Sequence, residues 1–176
     1  MPIHVQKADT MALPNWVPTD VQNYLLHRET GLAIRYLARQ KGCHASTVMR
    51  QIRRLEHLRD DPLVDAALRK LGKRYFCRSA ISFNKEPKTM TISPVRPPET
   101  QDDRTLNAHA IRVLPRLCET GAILAVADGM EKAIVVRDML DGSSVKTAVV
   151  DTTLAQDFTL KSLIACSEKG RISRYR

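Results

Sequence analysis

The stretch IRYLARQKGCHASTVMRQIRRL, Ile34 to Leu55, decides the fold of the N-terminal half. It reads as two short amphipathic pieces around one glycine. Ala38 is a small residue where a second helix has to approach closely. Gly42 follows four residues later, where a tight corner needs the left-handed backbone that glycine adopts without steric penalty. Val48 lies six residues beyond the glycine and Ile52 four beyond that, an aliphatic spacing that buries the inside of a corner. Leu37 and Cys43 add apolar surface on either side. The pattern predicts a helix-turn-helix with helices over about 32–40 and 45–58.

The second helix carries the chemistry. When such a helix lies in the major groove of DNA, its early residues face base edges and later basic residues reach phosphates. Thr47, Arg50 and Gln51 are therefore the candidate base-facing residues, and His44 and Ser46 at the start of the helix are further candidate DNA contacts, His44 reading first as a turn residue. Arginine suits guanine and glutamine suits adenine. Arg53, Arg54 and Arg59 are the candidate phosphate clamps. Ser46 has a competing role as the helix N-cap, facing the backbone and not DNA. The competing account of the arginines is a solvated helix face paired with Glu56 and Asp60.

Working outward from this corner, residues 1–18 hold Pro2, Pro14 and Pro18 without periodicity and read as a flexible arm. Thr19 or Asp20 can cap a helix to about His27, interrupted by Glu29-Thr30-Gly31. After the corner, Asp60 or Asp61 is a candidate N-cap, with Pro62 in the first turn, where proline is tolerated. Leu63, Ala67 and Leu71 have helical spacing, and Lys70 and Gly72 look like the last turn and its C′ residue. Residues 19–72 thus form a four-helix unit. Residues 73–83 are compatible with a basic strand or a short helix. The segment as a whole, 73–103, reads as a proline-rich linker with Pro87, Pro94, Pro97 and Pro98.

Residues 104–176 change texture. Leu106 to Cys118 is helical in period, with Pro115 expected to bend or shorten it. The apolar runs AILAVAD and KAIVVRD flank Asp128-Gly129, a hairpin signal, and VKTAVVD is a third strand. Asp151-Thr152-Thr153 caps a helix to about Cys166 with Leu154, Phe158 and Leu163 as its stripe. GRISRYR closes as an alternating strand with Ile172 and Tyr175 expected inward. The result is a small α+β unit, winged-helix-like in its ending, and an α+β protein overall. Lys169, Arg171, Arg174 and Arg176 along that ending are a candidate second basic contact with DNA. Dimerisation or protein binding are the other expected roles of this unit.

Composition sets the bounds. There are 28 Lys and Arg against 19 Asp and Glu, a net charge of +9, which suits a polyanionic partner. Four cysteines, Cys43, Cys77, Cys118 and Cys166, lie 34 to 48 residues apart and form no metal-binding spacing, so no metal is expected. No motif of a hydrolase, metalloprotease, nucleotide-binding loop or dinucleotide fold is present, so neither catalysis nor a cofactor is expected. Asp128, Asp138, Asp141, Asp151 and Asp157 mark turns and caps. With no apolar run long enough to span a bilayer and no secretory signal, the expected location is the cytoplasm, at the nucleoid, with no membrane partner. Three Phe, one Trp and four Tyr leave few aromatics on which RNA bases could stack.

RETGLAIRYLARQKGCHASTVMRQIRRLEHLRDDPLVDAALRKLG, with AVADGMEKAIVVRD, TAVVDTTLAQDFTLKSLIAC and GRISRYR downstream, resembles alphaproteobacterial helix-turn-helix regulators that carry a C-terminal domain of unknown function. More distantly, it is similar to the activators of gene transfer agents in that bacterial class. The resemblance covers about 28–72 and 104–176. It implies transcription regulation through double-stranded DNA and contact with RNA polymerase, implies more chain beyond Arg176, and adds no catalytic residue. The sequence-level expectation is a regulator whose N-terminal unit reads DNA and whose C-terminal unit binds a partner or forms a homodimer. The competing expectation is a sigma-like or antiterminator factor that touches DNA only within the polymerase complex.

Overall fold

The computed structural model describes residues 13–76, 103–139 and 142–176. Within them the chain forms α1 (Thr19–Thr30), α2 (Ile34–Gln40), α3 (Ala45–Leu58), α4 (Pro62–Tyr75), α5 (Asp103–Leu117), β1 (Ala122–Ala127), β2 (Lys132–Asp138), β3 (Ser144–Asp151), α6 (Thr152–Leu160), β4 (Cys166–Glu168) and β5 (Ile172–Tyr175). The helices of the first half and the antiparallel sheet of the second make an α+β fold.

The helical unit closes around Val21, Tyr24 and Leu25 of α1, Leu37 and Ala38 of α2, Val48, Ile52 and Leu55 of α3, and the inner face of α4. Each set follows the helical period, so one stripe per helix leaves water. Asp61 caps α4, its Oδ1 accepting from Leu63 N–H at 2.9 Å, and Pro62 follows at the first position as expected. The helix does not stop at Gly72, however. It runs on to Tyr75, and a Cβ at Gly72 would meet only the carboxylate end of the exposed Glu29 side chain, 3.1 Å away. The extension places Lys73, Arg74 and Tyr75 of the expected linker inside α4, while residues 77–102 lie outside the described residues. Residues 13–18 of the expected arm are docked: Val17 is 2 % exposed, and Leu13 and Trp16 pack on the helical core.

The sheet runs β3-β2-β1-β5-β4. The β1–β2 hairpin turns at Asp128-Gly129, and Met130 N–H closes it on Ala127 O at 3.3 Å. Leu124, Val126, Ala133, Val135, Val150 and Tyr175 share the inner face with Leu154, Ala155 and Phe158 of α6 and Val113 of α5. Gly121 has φ +78, and a Cβ there would stand 2.7 Å from Asp138 O, so only glycine lets the chain enter β1 beside β2. Pro115 does not break α5, which continues to Leu117. Its missing N–H would have met the carbonyl of Ile111, a residue 74 % exposed, so water can take that bond.

Three expectations are corrected here. The helix expected to reach Cys166 ends at Leu160, and Ser162 takes φ +56. Leu163 is therefore 44 % exposed, and Cys166 opens an additional strand. In β5 it is Ser173 and Tyr175 that face inward, while Ile172 is 57 % exposed. The strand pairs with β1 on one side and β4 on the other, so it lies within the sheet instead of projecting as a wing.

The two halves share their cores. Leu160 of α6 belongs to the helical cluster, Leu63 of α4 belongs to the sheet cluster, and Trp16 packs on both. Tyr175 donates its O–H to Asp61 Oδ1 at 2.8 Å, and Lys70 of α4 reaches Thr153 of α6 at 3.1 Å. Burial, then the neighbouring Asp61, push the Tyr175 phenol up, so it remains a donor.

Asp157 lies buried beside this junction, 6 % exposed, with Oδ2 accepting no hydrogen bond. Burial raises its carboxyl from 3.8 to about 6, with Lys70 and Lys161 opposing. A carboxyl whose pKa is higher in the folded state takes up protons on folding. Its contribution to stability is therefore fullest below pH 3.8 and is lost as pH rises through about 6. Asp157→Asn should raise stability at neutral pH by roughly 1–3 kcal/mol and leave it nearly unchanged near pH 4, read by urea unfolding across pH.

Candidate nucleic-acid interface

The corner is built as its spacing requires. The seven-residue α2 is followed by four linking residues, Lys41 to His44, and then by α3. Gly42 adopts φ +63, and Cys43 N–H returns to Ala38 O at 3.0 Å. Ala38 and Val48 are 3 % and 0 % exposed, so the two helices meet at a small residue and an aliphatic one.

His44 is the N-cap of α3. Its Nδ1 accepts from Ser46 N–H at 3.3 Å and lies 2.8 Å from Ser46 Oγ. A ring nitrogen that accepts a backbone N–H carries no proton, so the exposed Nε2 is a donor. The alternative role given to Ser46 is corrected by this: His44 caps the helix, and the Ser46 hydroxyl bonds to the cap.

Val48, Ile52 and Leu55 fix the inner face of α3. At ~100° per residue, Ser46, Arg50, Arg53 and His57 fall on the opposite side, one per turn, and all four are exposed. Thr47 is exposed on the flank. Among the described residues no ion pair engages Arg50 or Arg53. Among the described residues neither Glu56 nor Asp60 forms an ion pair with them, so the face they share is solvated and unpaired.

Three of the expected contacts are placed elsewhere. Gln51 is half-buried, and its Oε1 accepts from Asn23 Nδ2 at 2.8 Å, so it ties α3 to α1 and does not face outward. Arg59 donates to Asp65 Oδ1 at 2.8 Å and lies 3.3 Å from Tyr24 Oη, inside the helical unit. Although burial pushes the Asp65 carboxyl up, Arg59 and Arg69 together hold it below its ordinary value. Arg54 lies 3.6 Å from Asp20 and donates to Ser162 Oγ at 3.0 Å, which ties α3 to the loop after α6. Helical phase accounts for the first two. Gln51 stands three residues after Val48 and Arg59 four after Leu55, both on the inward side.

Two arginines not anticipated join the surface. Arg35 and Arg39 lie one turn apart on α2, both exposed. From Ile34 to Arg59 seven Lys and Arg stand against the single acid Glu56. That imbalance was the available signal.

The expected second contact is less favourable. Lys169 and Arg171 sit in the β4–β5 turn, but Arg171 lines a cleft of about 1590 Å³ together with Asp128, Glu131 and Asp151. Arg174 pairs with Glu168 at 3.1 Å. Arg176 is exposed and pairs its backbone with Ala165. These carboxylates oppose a phosphate there. Among the described residues no three His, Cys, Asp or Glu side chains gather as a metal site, and no helix is long and apolar enough to cross a membrane.

No family model, curated protein or solved structure matches the chain.

Gln51 and Asn23 give a direct check on the corrected assignment. Gln51→Ala leaves the amide of Asn23, itself 1 % exposed, without its acceptor. The variant should lose about 1–3 kcal/mol of stability in urea unfolding and show an unaltered base preference in any DNA it binds.

Proposed function

We propose that this protein is a DNA-binding transcription regulator that inserts α3 of its helix-turn-helix into the major groove. The observation that carries the reading is the outer face of α3: Ser46, Arg50, Arg53 and His57 stand in line, exposed, on a corner that positions them rigidly. Arg50 and Thr47, nearer the N-terminal end, approach bases. Arg53, farther along, meets phosphate, and the His44 Nε2–H at the cap is a further donor. Arg35 and Arg39 of α2 cross the backbone beside it, as the first helix of such a motif does. On this reading the protein acts at the nucleoid.

The competing reading is a factor that binds RNA polymerase and meets DNA only within that complex. It has support in the charge distribution. Residues 103–176 carry eleven Lys and Arg against nine Asp and Glu, whereas residues 1–102 carry seventeen against ten. A nearly neutral C-terminal half suits a protein partner better than a polyanion.

Fluorescence anisotropy with duplex DNA across a salt series separates these readings. Arg50→Ala should weaken the preferred site by about 1–3 kcal/mol and relax base preference at one position. Arg53→Ala should weaken all sequences alike and reduce the salt slope by about one. If the purified chain binds no duplex without polymerase, the independent reader is ruled out and the polymerase factor stands.

A further inference from the structure

A small cavity lies at the junction of the two halves. It measures about 40 Å³, and its walls include Pro14 and Trp16 ahead of α1, Leu71 of α4, and Asp157 and Leu160 of α6. A space of that size takes on the order of two water molecules. Asp157 is 6 % exposed, and its Oδ2 has no hydrogen-bond partner among the described residues. An ionised carboxylate so placed is strongly unfavourable, whereas a protonated one is tolerated.

The charges facing Asp157 come from the two helices. Lys70 of α4 and Lys161 at the end of α6 both favour its ionised form. Lys70 nevertheless gives its ammonium to Thr153 Oγ1, 3.1 Å away. Arg74, the other cation of the cavity wall, stands 5.6 Å from the centre of the Tyr75 ring. Residues 13–18 bring no charge, and no residue of the sheet lines the cavity.

The walls differ in how they are held. Helices α4 and α6 have their own backbone ladders and set Leu71 and Leu160 in the helical core. Val17, 2 % exposed, is fastened to α1, because its carbonyl accepts from Gln22 Nε2 at 2.9 Å. Among the described residues no hydrogen bond ties residues 13–16 to α4 or α6, and the one backbone bond there, Val17 N–H to Pro14 O at 3.0 Å, is local. Those residues are held against the cavity by packing.

We propose that residues 13–16 are a proton-dependent strap, clamped over the cavity while Asp157 is protonated and lifted about Val17 when Asp157 ionises and takes up water. Trp16 packs on both cores, so lifting the strap withdraws a contact that the two halves share. The sign follows from burial. With the strap down, burial raises the Asp157 carboxyl from 3.8 to about 6, and with the strap lifted, water returns it toward 3.8. Closing the strap therefore takes up a proton. The closed form is favoured most at acid pH and loses that advantage as pH rises through about 6. None of this depends on what α3 touches.

Trp16 is the one tryptophan of the chain, so its fluorescence reports the strap in the full protein without a label. Acrylamide quenching, followed from about pH 4.5 to about pH 8, should rise about twofold or more while the circular dichroism stays constant. The midpoint should fall at about 6. Asp157→Asn cannot ionise and should keep Trp16 shielded across the range. Lys70→Met removes a charge that favours the ionised carboxyl and should move the midpoint to higher pH. If Asp157→Asn fails to fold, the direction of the Lys70→Met shift decides. Quenching that stays flat with pH overturns the strap, as does a midpoint that Lys70→Met leaves in place. Asp157→Asn retains every histidine, so a transition that persists in it belongs to another group and also overturns the inference. Loss of helical signal over the same range would mean unfolding of the whole chain and would rule the strap out as well.

Discussion

One carboxylate oxygen joins the two halves of this molecule. Asp61 Oδ1 accepts the Leu63 N–H that starts α4 and the Tyr175 O–H at the end of β5. The first bond satisfies a helix terminus that would otherwise be orphaned. The second places a strand of the sheet against that same terminus. Both partners are buried, so loss of either leaves a polar group in a dry environment, an unfavourable state that keeps both bonds made. Helix α4 consequently belongs to both cores, with Leu63 on the sheet side and Leu68 and Leu71 on the helical side.

The corner of α2 and α3 draws on this frame. Its own packing depends on Ala38, Gly42, Val48 and Ile52, but its orientation depends on α1 through Asn23–Gln51 and Asp20–Arg54, and on α4 through Arg59–Asp65. The basic residues of α3 are thus divided by direction. Those inward or on the flank hold the helix in place, and those outward remain available. A count of arginines along the chain does not distinguish these roles, whereas their angle around the helix axis does.

That distinction marks how much was legible. The spans of α2 and α3, the turn at Gly42, the cap at Asp61 and the β1–β2 hairpin follow from local rules, and these were readable from residue order. The inward turn of Gln51 and Arg59 was also present in the spacing from Val48 and Leu55. What residue order did not contain was long-range. Gly72 resembles a helix end, yet α4 continues through it to Tyr75, where Tyr75 and Phe76 join the helical core. Ile172 has the stronger claim to the core by hydropathy, but the bond from Tyr175 to Asp61 selects the opposite parity and turns it outward. Ser162 stops α6 early so that Ile164 can be buried and β4 can begin. In the site, the unpaired state of Arg50 and Arg53 required coordinates, because Glu56 and Asp60 were sequence neighbours available as partners.

The shared packing of Leu160 and Leu63 has a mechanical consequence. A reading head on a loose tether can follow targets at variable separation, but here α4 and α6 pack on each other between α3 and the sheet. Torque on one is transmitted to the other through close-packed side chains, and Arg54–Ser162 adds a strut directly from α3. Each added base pair turns B-DNA by about 34°. If α3 reads DNA as proposed, a body this stiff has to twist by that angle to follow, and geometry imposed at the sheet then sets the phase at which α3 meets the double helix.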